Sequence, residues 1–330
     1  MYKDKKILIT GGTGTIGRHL VNELLKYRPS VIRIFSRDEH KQFEMQQRLN
    51  HHSNIRYLIG DVRDESRLVR AMEDIDFVFH LAAMKHVPAC EYNPFEAVKT
   101  NVLGTQNVIQ AAIQTGVKKV LFTSSDKAIS PTNTYGATKL TSERLISAAE
   151  YQKGPKQTVF ASVRFGNVMG SRGSVIPLFK RQILEKGSIT VTDMNMKRYM
   201  MTPQQAITLL LKANEMARGG EVFVLKMPIV RLSDLVEVII NEVRRKYGVE
   251  RAVRIQEIGL RPGEKMYEEL MHADELRHSV ETPDMYIIPS PFVRHDYLEH
   301  YPPATIPTVD SEPPIPMNVL ADWIVTEQLL

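Results

Sequence analysis

Tyr135 and Lys139, in the stretch TSSDKAISPTNTYGATK, stand four residues apart, a spacing that puts both side chains on one face of a helix beginning near Tyr135. A phenol titrates near ~10 and is a poor base at neutral pH. An ammonium beside it, joined by a nicotinamide cation, would lower that value and let the phenol take a proton from a sugar hydroxyl while hydride leaves the same carbon. Just upstream, Ser125, Asp126 and Lys127 follow an apolar run, KKVLFTSS. A carboxyl and an amine side by side can divide an elimination between them. The amine removes the proton made acidic by a neighbouring ketone, and the acid protonates the departing hydroxyl, if their surroundings hold Lys127 neutral and Asp126 protonated when required. A surface ion pair is the plain alternative for these two. The Tyr-x-x-x-Lys spacing occurs by chance in many proteins, so its weight depends on the fold around it.

That fold is announced by TGGTGTIG, directly after the first strand pattern. Gly11, Gly14 and Gly17, with Thr13, Thr15 and Ile16 between them, run into the helix RHLVNELLKY. Glycines permit a tight turn and let backbone N–H groups approach a pyrophosphate at the positive end of that helix. The second strand ends near Phe35, where NAD-binding folds usually carry an acidic residue for the ribose. Here the chain reads FSRDEHK, and the hydroxyl of Ser36 with the cations of Arg37 and Lys41 suit a 2′-phosphate, favouring NADP. Asp38 lies close enough to keep NAD as the alternative. Asp61 and Val62, after the third strand, are placed to meet the adenine, and Ala82 and Ala83, after the fourth, leave room for the cofactor.

The elements that must position these residues follow from hydropathic period. KKILIT, SVIRIF, IRYLIG, DFVFHLAA, KKVLFTSS and TVFASVRF read as strands, and amphipathic stretches between them as helices. Nearly continuous apolar strands alternating with helices predict an α/β fold, a doubly wound parallel (Rossmann) sheet covered on both faces. A length of 330 residues at 43% apolar and 25% charged composition allows about two domains. The dinucleotide-binding domain is expected over residues 1–167 and roughly 200–227. A smaller mixed α/β substrate domain is expected over 168–199 and 228–330. Eight of the 18 prolines fall between Pro289 and Pro316, which predicts an extended tail wrapping a neighbouring surface or partly mobile.

Composition excludes other classes. No apolar run approaches the ~18 to 20 residues of a membrane helix. The first strand pattern begins almost at once, leaving no room for a signal peptide, so a soluble, cytoplasmic protein is expected. The single cysteine, Cys90, reads as a packing residue. The ten histidines show no ligand spacing, and no metal is expected. A net charge of +5 without a basic block gives little reason for nucleic acid.

Tyr-x-x-x-Lys one strand beyond this glycine loop resembles the short-chain dehydrogenase/reductase superfamily, and the length resembles its extended branch, whose members mostly act on nucleotide sugars. SSDKAISPTNTYGATK is similar to the UDP-N-acetylglucosamine 4,6-dehydratases, including those that invert C5. LAAMKHVPACEYNPFEAVKTNVLGT, RFGNVMGSRGSVIPLF, ITVTDMNMKRYMMT and GLRPGEKMYEEL resemble the same family, so the likeness spans roughly residues 5 to 290. It implies Tyr135 as base, Lys139 as its partner and ribose ligand, and Asn101 near the cofactor. It also implies Lys85 in the sugar pocket, Asn167 and the loop with Arg172, Ser174 and Val175 around sugar and diphosphate, Arg198 and Arg261 on the phosphates, and Glu264 on the uridine ribose. The implied product is a UDP-2-acetamido-2,6-dideoxy-4-hexulose for bacterial surface glycans, pseudaminic acid among them, made by a short soluble homo-oligomeric member without the membrane region of the long forms. A 4-epimerase or reductase of the superfamily, an enzyme of only part of the dehydration, and a non-enzymatic dinucleotide sensor are the alternatives.

Overall fold

Six runs rich in β-branched and aromatic residues form parallel strands: β1 Lys6–Thr10, β2 Val31–Ser36, β3 Ile55–Ile59, β4 Phe77–His80, β5 Lys119–Ser125 and β6 Val159–Phe165. The computed structural model describes residues 1–306 and 312–330. The helices α1 Thr15–Lys26, α2 Glu39–Arg48, α3 Glu65–Met72, α4 Val87–Tyr92, α5 Pro94–Ala97, α6 Gly104–Thr115 and α7 Thr134–Gln152 connect them. Every residue of β4 and β5 is buried, as expected where helices cover both faces. Neighbouring residues separate cleanly: Ile7 and Ile9 pack with Leu20 and Leu24 of α1, whereas Leu8 packs with Leu68 of α3 and Val108 of α6. The strand order β3-β2-β1-β4-β5-β6 is the doubly wound arrangement expected. Its order reverses between β1 and β4, which opens a crevice at the carboxyl ends of these strands.

The rest of the chain comprises β7 Asn167–Val168, α8 Val175–Lys186, β8 Ser188–Val191, β9 Lys197–Met201, α9 Pro203–Met216, β10 Val222–Leu225, β11 Ile229–Arg231, α10 Leu232–Tyr247, β12 Arg254–Glu257, α11 Ala273–His278, β13 Val280–Glu281, β14 Met285–Ile288 and α12 Met317–Thr326. β10 joins β6 in parallel, β14 lies antiparallel on β10, and β13 on β14. Residues 280–288 thus complete the large sheet, whereas the sequence assigned them to the second domain. The reason is that β10 is wholly buried, so its outer edge needs a pairing strand, and the Met285–Ile287 return supplies one. A three-stranded sheet (β7, β9, β11) and a two-stranded one (β8, β12) form the remainder. An apolar cluster containing Phe179, Ile183, Leu235, Ile239, Leu320 and Ile324 fills the space beside them.

The tail is more structured than its prolines implied. A 3-10 turn spans Asp296–His300, Pro303 bridges to Val280, and the Ile315 N–H donates to the Ile229 carbonyl at 2.9 Å. Residues 307–311 of the proline-rich stretch lie outside the described residues. Among the described residues no helix is long and apolar enough to cross a membrane.

Arg164, on β6, has no exposed surface and fastens three parts of the chain together. Its guanidinium donates to Glu143 of α7 (Nη2 to Oε2, 2.7 Å), to Glu275 of α11 (Nη1 to Oε2, 3.0 Å) and to the Leu270 carbonyl (2.9 Å). Removing one partner of a buried ionic cluster leaves the others uncompensated. Arg164→Met is therefore expected to lose about 3–5 kcal/mol of unfolding free energy in a urea titration, whereas a loss below about 1 kcal/mol would mean that Glu143 and Glu275 are adequately solvated without it.

Candidate active site

The crevice holds a cavity of about 760 Å³ lined by the glycine loop (Gly11, Thr13, Gly14, Thr15, Ile16, Gly17) and by Ser36, Arg37, Lys41, Asp61, Val62, Ala82, Ala83 and Lys85. Gly11 adopts φ +71°, and a Cβ there would stand 2.8 Å from the Ala82 nitrogen, so β1 and β4 can converge only with glycine in that turn. No side chain caps the N-terminus of α1 at Gly14, which leaves its first amides available to an anion. At the other end Asp38 is already engaged. It caps α2 by accepting the Lys41 N–H at 3.0 Å, and its carboxylate also pairs with the Lys41 ammonium. Arg37, 3.5 Å from Asp61, keeps a side chain 56% exposed, so its guanidinium remains accessible from the cavity. Arg172, expected among the sugar contacts, lies on the glycine-loop side. It lines this same cavity, and its N–H donates to Thr15 Oγ1 at 3.1 Å.

At the end of β5 a 3-10 turn, Asp126–Ala128, leads toward α7, which Asn133 caps by accepting the Gly136 N–H at 2.9 Å. A Cβ on Gly136 would collide with the Lys127 carbonyl oxygen. That close approach is what sets Tyr135 against Ser125, Asp126 and Lys127. Asp126 is wholly buried; its Oδ1 accepts from Ser125 Oγ at 2.8 Å and from Lys127 Nζ at 3.0 Å, and its Oδ2 has no partner.

Two electrostatic expectations are corrected. Lys139 is not the charge that lowers the phenol: its Nζ donates to the Thr123 carbonyl at 2.8 Å and lies 4.5 Å over the Phe122 ring. Burial pushes Tyr135 up to about 12 against the lowering effects of Ser125 and Lys127. Nor is Lys127 held neutral. Burial draws its ammonium down, but Asp126 and Glu268 more than reverse this and leave it above an ordinary lysine.

Glu268 was not singled out in the sequence. Its carboxylate is buried, stands 3.5 Å from Lys127 Nζ, and is pushed up by burial. The alternation of Met266, Glu268 and Leu270 facing inward against exposed Tyr267 and Glu269 was the signal for it. His80 was missed too. It is fully buried, bonded to Thr10 Oγ1 (2.7 Å) and Thr105 Oγ1 (3.1 Å), and burial drives it down to about 3, so it remains neutral beneath the crevice. Asn101 sits in a π-helical turn, Val98–Leu103. It accepts the Met84 N–H (2.8 Å) and donates to the Met84 carbonyl (3.0 Å) and Thr138 Oγ1 (2.9 Å), which ties the segment after β4 to α7.

The residues expected around a sugar nucleotide are spread along this rim. Asn167 donates to the Tyr199 carbonyl at 3.2 Å. Ser174 precedes Val175, the first residue of α8, and its Oγ is buried with no partner. Arg198 donates to the carbonyls of Lys197, Lys265 and Met266, so it organises the 261–268 segment as well as facing Glu268 and Asp126. Arg261 is exposed, and its charge lies 3.9 Å from Glu264.

Burial pulls Lys139 down to about 7 from 10.5. Between those values the unfolded chain binds the additional proton, so this residue lowers stability at neutral pH and the penalty fades as pH rises toward 10. In denaturant titrations the stability advantage of Lys139→Met over the parent is expected to shrink from pH 7 to pH 10; a pH-independent difference would contradict the depressed titration.

Comparison with known proteins adds the family. The sequence pattern of the family described as "Polysaccharide biosynthesis protein" matches residues 7–290. The solved structure of Pen from Bacillus thuringiensis is 56% identical, superposes with a TM-score of 0.94, and the alignment covers 100% of this chain and 99% of that one. An inverting UDP-N-acetylglucosamine 4,6-dehydratase of Campylobacter jejuni is 45% identical over 296 residues, 89% of this chain and 85% of its own. A UDP-glucose 4-epimerase of Rickettsia typhi is 42% identical over 293 residues, 88% of this chain and 84% of its own.

Proposed function

Since the chain belongs to the family of polysaccharide biosynthesis proteins, we propose that it is a nucleotide-sugar 4,6-dehydratase acting on UDP-N-acetylglucosamine with inversion at C5. The observation that carries this reading is the buried Asp126–Lys127 pair, hydrogen-bonded to each other and to Ser125 at the end of β5, in the turn that leads to Tyr135 at the start of α7. Tyr135, raised by burial, would act as the base in the phenolate form that Lys127 and a bound nicotinamide cation favour, and so take the C4 hydroxyl proton. Lys127 takes the C5 proton made acidic by the new ketone, Asp126 protonates the departing C6 hydroxyl, and a proton returns to C5. The resting ammonium is no obstacle, since one proton passing along the 3.0 Å bond from Lys127 Nζ to Asp126 Oδ1 creates the amine base and the carboxylic acid together.

A nicotinamide dinucleotide fits the glycine loop and the open amides of α1, and when bound it supplies the hydride acceptor for C4 and the hydride donor for C6. Ser36, Arg37 and Lys41 favour the 2′-phosphorylated form, because Asp38 is consumed as a helix cap. On the substrate side the Ser174 hydroxyl and the N-terminus of α8 meet the diphosphate with Arg198 and Arg261, Glu264 holds the uridine ribose, and Lys85 and Asn167 reach the sugar. The likeness to a 4-epimerase supports a second reading, in which the hydride returns to C4 and no water leaves.

Incubation with UDP-N-acetylglucosamine and mass analysis separates these readings. A product lighter by one water is expected, whereas one of equal mass means epimerisation. Lys127→Ala is expected to bind cofactor normally and to remove no water; dehydration persisting in that variant would eliminate the proposed base. For the cofactor, Arg37→Ala should weaken NADP relative to NAD by about ten- to hundredfold, the worth of a ~1.5–3 kcal/mol charged hydrogen bond, in parallel binding titrations. An unchanged ratio would move the 2′-phosphate contact elsewhere.

A further inference from the structure

The proposed reaction takes hydride from C4 and returns it to C6, so a dinucleotide lost in between would strand a keto sugar on the protein. The site therefore needs a hold on the cofactor beyond the glycine loop. All but two of the residues lining the cavity lie within the first hundred of the chain; the exceptions are Ser171 and Arg172, from the loop between β7 and α8. That loop is shaped in advance. Gly170 (φ +66°) and Gly173 (φ +75°) take the left-handed conformation on either side of the pair, and the Ser174 N–H donates to the Ser171 carbonyl at 2.9 Å. A Cβ on Gly173 would stand 2.4 Å from Cε1 of His86, another residue of the cavity wall, so the loop rests against the segment after β4. The Arg172 N–H meanwhile donates at 3.1 Å to Oγ1 of Thr15, the first residue of α1.

We infer that the Arg172 guanidinium binds the pyrophosphate of the dinucleotide from across the crevice, which makes the 170–174 loop a cofactor clamp. This rests on the reading of the crevice as a dinucleotide site, and it moves Arg172 from the sugar side to the cofactor side. The side chain is exposed and has no hydrogen-bond or ion-pair partner among the described residues. The backbone contact to Thr15 sets it beside the α1 amides that no side chain caps, where a pyrophosphate is expected. Arg18, on the first turn of the same helix, likewise has no ion-pair partner among the described residues, and it is lowered first by burial and then by the Arg172 charge. An anion between two such guanidiniums relieves both, and the planar fork of arginine matches a pair of phosphate oxygens.

The substrate carries a diphosphate as well, so the test measures both ligands. Release of NADPH and, in parallel, of NADH is timed by the loss of protein-bound fluorescence on mixing with excess oxidised cofactor. UDP affinity is measured by calorimetry on cofactor-loaded protein. Arg172→Ala is expected to release both dinucleotides about ten- to a hundredfold faster, the worth of a charged hydrogen bond, with UDP affinity unchanged. Arg172→Lys keeps a point charge without the fork and should fall between. Gly173→Ala keeps the guanidinium but pushes the loop off His86, and should also speed release. Unchanged release from Arg172→Ala overturns the clamp, and a loss of UDP affinity in its place returns Arg172 to the substrate. Faster release confined to NADPH overturns the pyrophosphate assignment in favour of the 2′-phosphate. A parent protein that binds neither dinucleotide overturns instead the cofactor reading beneath.

Discussion

Two opposite charges taken out of water cost several kcal/mol each, and a single hydrogen bond between them does not offset that. At Asp126 and Lys127 the compensation is drawn from separate parts of the chain. Ser125 on β5 donates to the carboxylate, the 261–268 segment brings Glu268 to the amine, and Arg198 on β9 interacts with both carboxylates. With all four ionised, the cluster is neutral. Its integrity therefore depends on contacts between segments about 70 to 140 residues apart in the chain.

Those contacts explain why the irregular second half is folded onto the regular first half. Thr132 Oγ1 and Asn133 Nδ2 both donate to the Gly263 carbonyl, and Lys265 Nζ donates to the Ile129 carbonyl. Arg198 holds the same segment by the carbonyls of Lys265 and Met266, and Arg164 holds its continuation at Leu270 and Glu275. The loop that carries Arg261 and Glu264 is thereby anchored at both ends to the turn that carries Asp126 and Lys127. On the opposite rim Arg172 reaches the glycine loop through Thr15. The two rims of the crevice are thus mechanically joined, which the proposed chemistry requires, since in it hydride and proton leave one hexose ring toward different groups.

Much of this was legible from residue order alone. The six parallel strands and the glycine turn follow from short, nearly continuous apolar runs alternating with amphipathic stretches, and a helix starting near Tyr135 is observed as α7, Thr134–Gln152. What escaped had no local signature. The membership of β13 and β14 in the large sheet is decided by the unpaired edge of β10, some sixty residues earlier in the chain. Lys139 was assigned to the phenol by spacing, but helical neighbours fix only the direction of a side chain, and the Thr123 carbonyl and the Phe122 ring lie within its reach. Glu268 was one of several carboxylates in a polar stretch, and only the inward alternation of its neighbours sets it apart.

The energetics also bear on which sugar chemistry such a site is built for. An epimerisation at C4 takes hydride and proton from one carbon and returns them there, and a phenol with a neighbouring hydroxyl is sufficient for it. It has no use for a second acid and base. Yet this fold keeps a carboxylate without solvent contact, with one oxygen unpartnered, at a cost of about 1–3 kcal/mol for such a group, more when charged. Lys127 sits beside it, with a second buried carboxylate opposite. Hydrophobic side chains of similar volume would make the same turn cheaper to bury. A cluster this costly is understandable where a proton must leave C5 and a hydroxyl must leave C6 in the same enclosed space, and elimination sets both requirements.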